Sequence, residues 1–342
     1  HCISSAASDV YKRQKGYQVM KKTIKKLLCV VLVASFVFAL AGCAKIDYVT
    51  NGTIKAIKEV QDGTYKNGGA DASAEGDKQS EVTIDEFVPN TYCGVEFKTV
   101  EDVVNYYVEC YNNTKSQTAS YTENGEAKTY YALLGEEKLK IDSVLIEGQE
   151  NSVINGIVPG IVDSLFQAGT YGLPPCNNRD PKLDNSNGSD TDPGEFDFRT
   201  SYFTPDDCLA ANVKEQDGKL VLTILPKDGS MSMRGVDSQG RFFEVLGDIG
   251  ATVDSISALS WASGTTEENC KVLYTGGTGV ITIDPATKTI TAADYHMAVN
   301  VQVNHANVAV IKDKSAEVKI SYDLTYPSSA EYLKTTKGIV QA

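Results

Sequence analysis

Histidine and tryptophan are nearly missing from this chain: 342 residues carry three His and one Trp. That leaves little material for imidazole catalysis or for stacking a sugar. Positive charge is also short, with 32 bases against 45 acids and a net charge of −13. A nucleic-acid partner is excluded, because displacing counterions needs a basic surface. The common catalytic and cofactor motifs are absent too: no C-x-x-C, G-x-S-x-G, S-x-x-K, H-E-x-x-H or phosphate-binding loop occurs. Gly276-Gly-Thr-Gly279 lacks dinucleotide-binding spacing and runs into a strand, so it reads as a bulge or turn. No catalytic residue and no cofactor is assigned, and the chain reads as a non-enzyme. What is present is ordinary: 42% hydrophobic and 23% charged residues describe a globular protein, not a disordered, collagen-like or multi-span one.

The first 42 residues read as separate from the fold. Ser4 to Gln14, SSAASDVYKRQ, resembles the forward translation of a transposon-based sequencing adapter at all eleven positions. Residues 1–19 are therefore read as adapter and upstream translation, with Met20 as the start. From Met20 the chain reads as an export signal. A basic stretch ends at Lys26, and a 15-residue apolar run, Leu27 to Ala41, follows. A membrane-crossing helix needs about 20 residues, whereas a signal-peptide core is shorter. The run ends in Leu40-Ala41-Gly42-Cys43, which resembles the lipobox of bacterial lipoproteins. That resemblance implies cleavage after Gly42 and a diacylglycerol on the Cys43 thiol. It also implies attachment to the extracytoplasmic face of the cell membrane. Residues 1–42 hold seven bases and one acid, which leaves 25 bases and 44 acids, a net −19, on 300 residues.

Residues 43–82 read as a flexible tether. Lys66 to Ser80 contains no large apolar residue, so it buries too little surface to offset the entropy of ordering. A domain is expected over 83–330, with 331–342 as a C-terminal tail. Val100, Val103, Val104, Tyr107 and Tyr111 recur at helical spacing, with Thr99 as N-cap. Two strands around Gly135 follow. Ile154, Ile157, Val158, Ile161, Val162 and Leu165 then form an apolar helical stripe interrupted by Pro159 and Gly160. Thr204-Pro-Asp-Asp207 marks the start of a short helix and Asp217-Gly218 a hairpin turn. Phe242 to Leu259 reads as partly helical. From Lys271 the pattern is β: Tyr295, Met297, Val299, Val301 and Val303 alternate with polar residues. After a turn at Lys312–Ser315, Ala316, Val318, Ile320, Tyr322, Leu324 and Tyr326 do the same. Strands of roughly ten residues, long against the usual five or six, predict an α+β fold. In it a curved antiparallel sheet, a half-barrel, packs on two or three helices. The order of elements over residues 95–326 is similar to that of uncharacterised lipoproteins of gram-positive gut anaerobes and of the LolA/LppX half-barrels. That similarity implies a concave side able to hold an acyl chain or a partner, and it carries over no catalytic residue.

Several residues remain as candidates. Cys93, Cys110, Cys176, Cys208 and Cys270 cannot all pair. Cys176 and Cys208 flank an acidic loop and form the most sensible disulfide, while Cys110 reads as a small buried residue. In that loop Asp184, Asn187, Asp190 and Asp192 offer oxygen ligands suited to calcium, but the EF-hand positions are not filled, so no metal is assigned. His296 falls on the wet face of its strand and His305 near a strand end. Tyr295, Val299, Tyr322 and Tyr326, with Ile157 and Ile161, are candidates for lining a ligand cavity with an apolar wall and a polar rim. The preferred reading is a membrane-anchored, non-enzymatic module binding a lipid or other amphiphile. The alternative is an envelope interaction or structural protein without a cavity.

Overall fold

The computed structural model describes residues 82–131, 134–150, 169–171, 173–175, 200–246, 249–254, 259–308 and 311–341. Its strands in the first half are β1 (Asn90–Tyr92), β2 (Val95–Phe97), β3 (Thr118–Glu123), β4 (Glu126–Tyr131), β5 (Gly135–Ile146), β6 (Gln149–Glu150) and β7 (Gly169–Tyr171). The second half adds β8 (Cys208–Gln216), β9 (Lys219–Pro226), β10 (Gly229–Ser230), β11 (Leu259–Trp261), β12 (Cys270–Tyr274), β13 (Thr278–Asp284), β14 (Thr289–Val308), β15 (Ile311–Tyr326) and β16 (Ile339–Gln341). The helices are α1 (Val100–Lys115), α2 (Ser238–Phe242), α3 (Ile249–Asp254), α4 (Thr266–Asn269) and α5 (Ala330–Tyr332). The fold is thus mostly antiparallel sheet with a few short helices, and the sheets are open.

The alternation in the last third of the chain builds the spine. β14 and β15 run antiparallel with Ala293 opposite Tyr326 and Val303 opposite Ala316. On its other side β14 is shared in succession by β13, β12 and β11. The main sheet follows the order β6-β5-β15-β14-β13-β9-β8. Tyr295, Met297, Val299, Val301 and Val303 are all buried, as are Val318, Ile320, Tyr322, Leu324 and Tyr326. One face is therefore dry and the other wet, as period two requires. The Asp217-Gly218 turn joins β8 to β9 with φ of 52° and 72°, the two positive angles of a type I′ turn.

Three expectations are corrected. Lys312–Ser315 is not a turn. β14 continues to Val308 and β15 begins at Ile311, giving 20 and 16 residues. The ladder accommodates the polar stretch by shifting register between Val303 and Val308, with His305 and Asp313 both at φ 51°. Such bulges let a strand run on through residues that look like a loop. The pair of strands around Gly135 is divided between sheets: β5 joins the spine, whereas β4 belongs to a three-stranded sheet β16-β3-β4. Residues 331–342 are not a mere tail, because β16 pairs with β3, and Leu333 and Ile339 pack with Tyr121 and Leu134 in a second small core.

α1 begins at Thr99, whose hydroxyl accepts from the Asp102 N–H at 3.3 Å, while the Asp102 carboxylate accepts from the Thr99 N–H at 2.9 Å. This reciprocal cap holds the Asp102 carboxyl below its usual range, chiefly through the Lys98 and Thr99 backbone donors. Val103, Val104, Tyr107, Cys110 and Tyr111 are buried, as the periodicity predicts, and Val100 is half-buried. The far end is fixed to the turn before β14. The Thr114 hydroxyl accepts from the Ile290 N–H at 2.7 Å, and Lys288 pairs with Glu109 at 2.7 Å.

Gly276 to Gly279 links β12 to β13, as the motif suggests, but packing explains its composition. A Cβ on Gly279 would lie 2.6 Å from the Phe242 ring, and one on Gly277 2.8 Å from the Phe243 ring. Both rings are fully buried and cannot retreat. The Gly279→Ala variant is expected to lose about 1–3 kcal/mol by overpacking. Urea unfolding followed by the fluorescence of the one tryptophan, Trp261, checks this; an unchanged midpoint would show that the rings yield.

Candidate functional site

Tyr295 is the residue around which the inner face is organised. Its hydroxyl lies 3.2 Å from that of Tyr107 on α1. Its ring centroid is 5.4 Å from Phe242 and 6.4 Å from Phe243. Phe203 and Tyr111 extend the cluster. Burial holds the Tyr107 hydroxyl well above the ordinary tyrosine pKa, so it stays protonated and able to donate. Tyr295 and Val299 are 2% and 3% exposed, and Tyr322 and Tyr326 are buried beside them. These residues are brought onto one face as expected, and at Tyr295 that face is occupied by the protein's own rings. Ile157 and Ile161 lie outside the described residues, as do Asp184, Asn187, Asp190 and Asp192. The same holds for Leu40, Ala41, Gly42 and Cys43. Among the described residues no group of three or more His, Cys, Asp or Glu side chains is placed to hold a metal ion.

Behind the rings lies a polar knot that the sequence reading does not anticipate. Residues 227–246 fold tightly on themselves. A Cβ on Gly240 would fall 1.8 Å from the Met233 carbonyl oxygen, so only glycine fits there. This fold buries Arg234 and Glu244 as an ion pair at 0% and 1% side-chain exposure. Around it the Asp237 carboxylate caps α2 by accepting from the Gly240 N–H at 2.8 Å, and Gln239 donates to the Lys227 carbonyl at 2.8 Å. Asp207, on the single 3₁₀ turn Pro205–Asp207 where a short helix is expected, gathers four donors. It accepts from the Thr204 N–H and hydroxyl, from Ser238 at 3.0 Å and from Arg241 at 3.1 Å. The available signal was two opposite charges placed among Met233, Phe242, Phe243 and Val245. Glu137 was also missed. It is 7% exposed and sits opposite Leu324, which in turn sits opposite Tyr295, on the inward phase of β5.

Among the described residues Cys208 has no disulfide partner, and its expected partner Cys176 lies outside them. Cys208 opens β8 buried, with its Sγ 3.8 Å from the Leu225 carbonyl on the neighbouring strand. Burial pushes the Cys110, Cys208 and Cys270 thiols up to about 12, so they hold little of the reactive thiolate.

The wet face carries both body histidines, each paired with an acid across the spine. His296 Nδ1 is 2.6 Å from Asp323, and His305 Nδ1 is 2.8 Å from Asp313. One row along, Ser321 is bonded to Asp142, which also pairs with Lys140 at 2.8 Å. The result is a half-exposed row of polar and charged side chains on the wet face.

No family model, no curated protein and no solved structure matches the chain.

Two predictions follow from the knot. Arg234→Met or Glu244→Leu alone strands a buried charge and should cost about 3–5 kcal/mol, whereas the double variant should recover much of that. A double-mutant cycle in urea measures it, and additive losses would mean the two side chains act separately. Asp237 carries a pH signature. Burial raises its carboxyl above the ordinary value near 3.8, against the pull of the Gly240 N–H. The folded state therefore binds that proton more tightly than the unfolded chain. Its contribution is complete below the unfolded value and is lost as pH rises through the folded one. Relative to wild type, Asp237→Asn should become more stable as pH rises from below that window to neutrality. Midpoints that run parallel across that range would rule the assignment out.

Proposed function

We propose that this chain is a bacterial lipoprotein held to the extracytoplasmic face of the membrane by acylated Cys43. Its body would act as a non-enzymatic interaction module. Anchoring is supported by the basic stretch, the apolar run and the Leu40-Ala41-Gly42-Cys43 lipobox in their proper order. Two or three acyl chains exceed the single chain that gives only marginal attachment. Among the described residues no helix is long and apolar enough to cross a membrane.

The observation that carries the interaction reading is the packing of Tyr295. The residue best placed to line a cavity is 2% exposed and bonded through its hydroxyl to Tyr107. What the body offers to others at this position is the opposite face, with His296, Asp323, Lys140 and Asp142 in a mixed-charge ladder. Such a surface suits a protein partner of complementary pattern, with electrostatics setting register more than affinity.

A second reading keeps the half-barrel and its amphiphile. It is favoured by the polar-tipped belt of Glu137, Tyr322 and Tyr326 on the inward face, all buried. An acyl chain would lie along the β5–β15 side of the sheet, away from the Tyr295 cluster.

Both parts are testable. Cys43→Ser expressed from Met20 should lose metabolic labelling by a fatty-acid probe and leave the membrane fraction. Retention of both would end the anchoring reading. Native mass spectrometry of the chain from Ala44 should show the bare protein mass. A lipid adduct that survives purification would transfer the proposal to the amphiphile reading.

A further inference from the structure

β8 is the terminal strand of the main sheet path. A bare terminal strand invites pairing with other chains, and here a segment of the chain itself crosses it. The Asn212 side chain donates to the Asp85 carbonyl at 2.7 Å, Lys214 forms an ion pair with the Asp85 carboxylate, and Glu215 accepts from the Cys93 N–H at 2.8 Å. By strand alternation Asn212 and Lys214 project to one face and Glu215 to the other, the face where Ala211 and Val213 are buried. The segment therefore passes from one side of β8 to the other around its outer edge.

The fastenings are light. Every one named involves a side chain of β8, and no side chain from Val82 to Glu96 is buried; the first buried residue is Phe97. Phe87, Tyr92 and Val95 rest only half-buried against the core. Beneath the segment Asn212 is 3% exposed, and its Oδ1 is a buried oxygen with no hydrogen-bond partner among the described residues. An unpaired buried acceptor carries its full desolvation cost, which is relieved when the segment lifts and water enters. Few buried contacts and an internal penalty are the marks of a unit that opens below the global unfolding threshold.

We propose that residues 82–96 form a releasable strap, which opens as a unit while the spine stays folded and bares the edge of β8. The strap is continuous with the residues leading back to Cys43. A pull on the anchor therefore acts on Asp85 before it reaches β14. That last consequence rests on the anchoring reading; the strap itself does not.

Hydrogen exchange of the full chain, followed by mass spectrometry at rising sub-denaturing guanidinium, tests the proposal. Amides of 82–96 and the strap-facing amides of 208–216 should exchange through an opening of shared, weak denaturant dependence. Those of 299–303 should exchange only through a strongly denaturant-dependent one. Lys214→Met removes one exposed ion pair, so strap and β8 exchange should quicken about two- to fivefold with 299–303 unchanged. The proposal fails if all three regions share one denaturant dependence, or if Lys214→Met alters none of them or all equally. Cys43→Ser separates the two readings. Loss of membrane attachment with strap exchange intact upholds both, and unaltered attachment removes the anchor while leaving the strap.

Discussion

The antiparallel ladder of β14 on β15 is the constraint on which the other parts depend. β14 offers one whole side to β15 and divides the other among β13, β12 and β11. Three separate stretches of chain, around 260, 272 and 281, are thereby aligned on one rod. Five consecutive inward residues of β14, from Tyr295 to Val303, are 3% exposed or less. Fully burying a residue of this kind stabilises by about 1.5–3 kcal/mol. A slip of one residue would exchange all five for His296, Ala298, Asn300, Gln302 and Asn304. The register is thus held by a penalty comparable to the typical net stability of a domain, about 5–15 kcal/mol, before any turn is considered.

That register also sorts the chemistry. Because alternate residues face opposite ways, the same strand places Tyr295 in the ring cluster and His296 beside Asp323 on the wet side. The inward surface is closed at this position by α1 and α2, whose Tyr107 and Phe242 meet Tyr295. α2 can come so near only because the strand beneath it carries Gly279 where any side chain would collide with Phe242. The buried Arg234–Glu244 pair belongs to the same arrangement. A buried ion pair is weak evidence for stability, and apolar residues of similar volume often do as well. The pair brackets the segment that carries the two rings, with Glu244 directly following Phe242 and Phe243.

How much was legible in the sequence follows from the range of each signal. α1 was read nearly to the residue, because a capping box and a repeating apolar stripe are local. The alternation of β14 and β15 was equally plain, and so was the Asp217-Gly218 turn. The polarity of Lys312–Ser315 imitates a turn, whereas the ladder absorbs it by bulging at His305 and Asp313. The division of β4 from β5 could not be read, since the two are adjacent in sequence and only partners far along the chain, Ile339–Gln341 and Thr325, assign them to different sheets. The inward tyrosines were found by phase, but phase cannot say what covers them. Arg234 and Glu244 were hidden for the same reason, because burial of a charge depends on neighbours that the local pattern does not name.

The acidity of the chain gains a more specific meaning from where the acids stand. Many of the acids in the described region serve the backbone or a neighbouring base. Asp102 caps α1, Asp207 collects four donors, Glu147 accepts from the Ser315 N–H at 2.8 Å, and Asp85 and Glu215 fasten the strap to β8. An acid used in this way is held by donors whose geometry the fold supplies, so its charge stabilises one local arrangement. The net charge then follows from a fold that ties its turns and edges with carboxylates, and it need not mark any ligand. The two histidine pairs stand on the same wet face. His296 and Asp323 face one another across the ladder, whereas His305 and Asp313 meet within the bulged stretch, where neither has a register partner. Their positions follow from the need to hold a long, irregular hairpin in register on its wet side, where no apolar contact is available to do so.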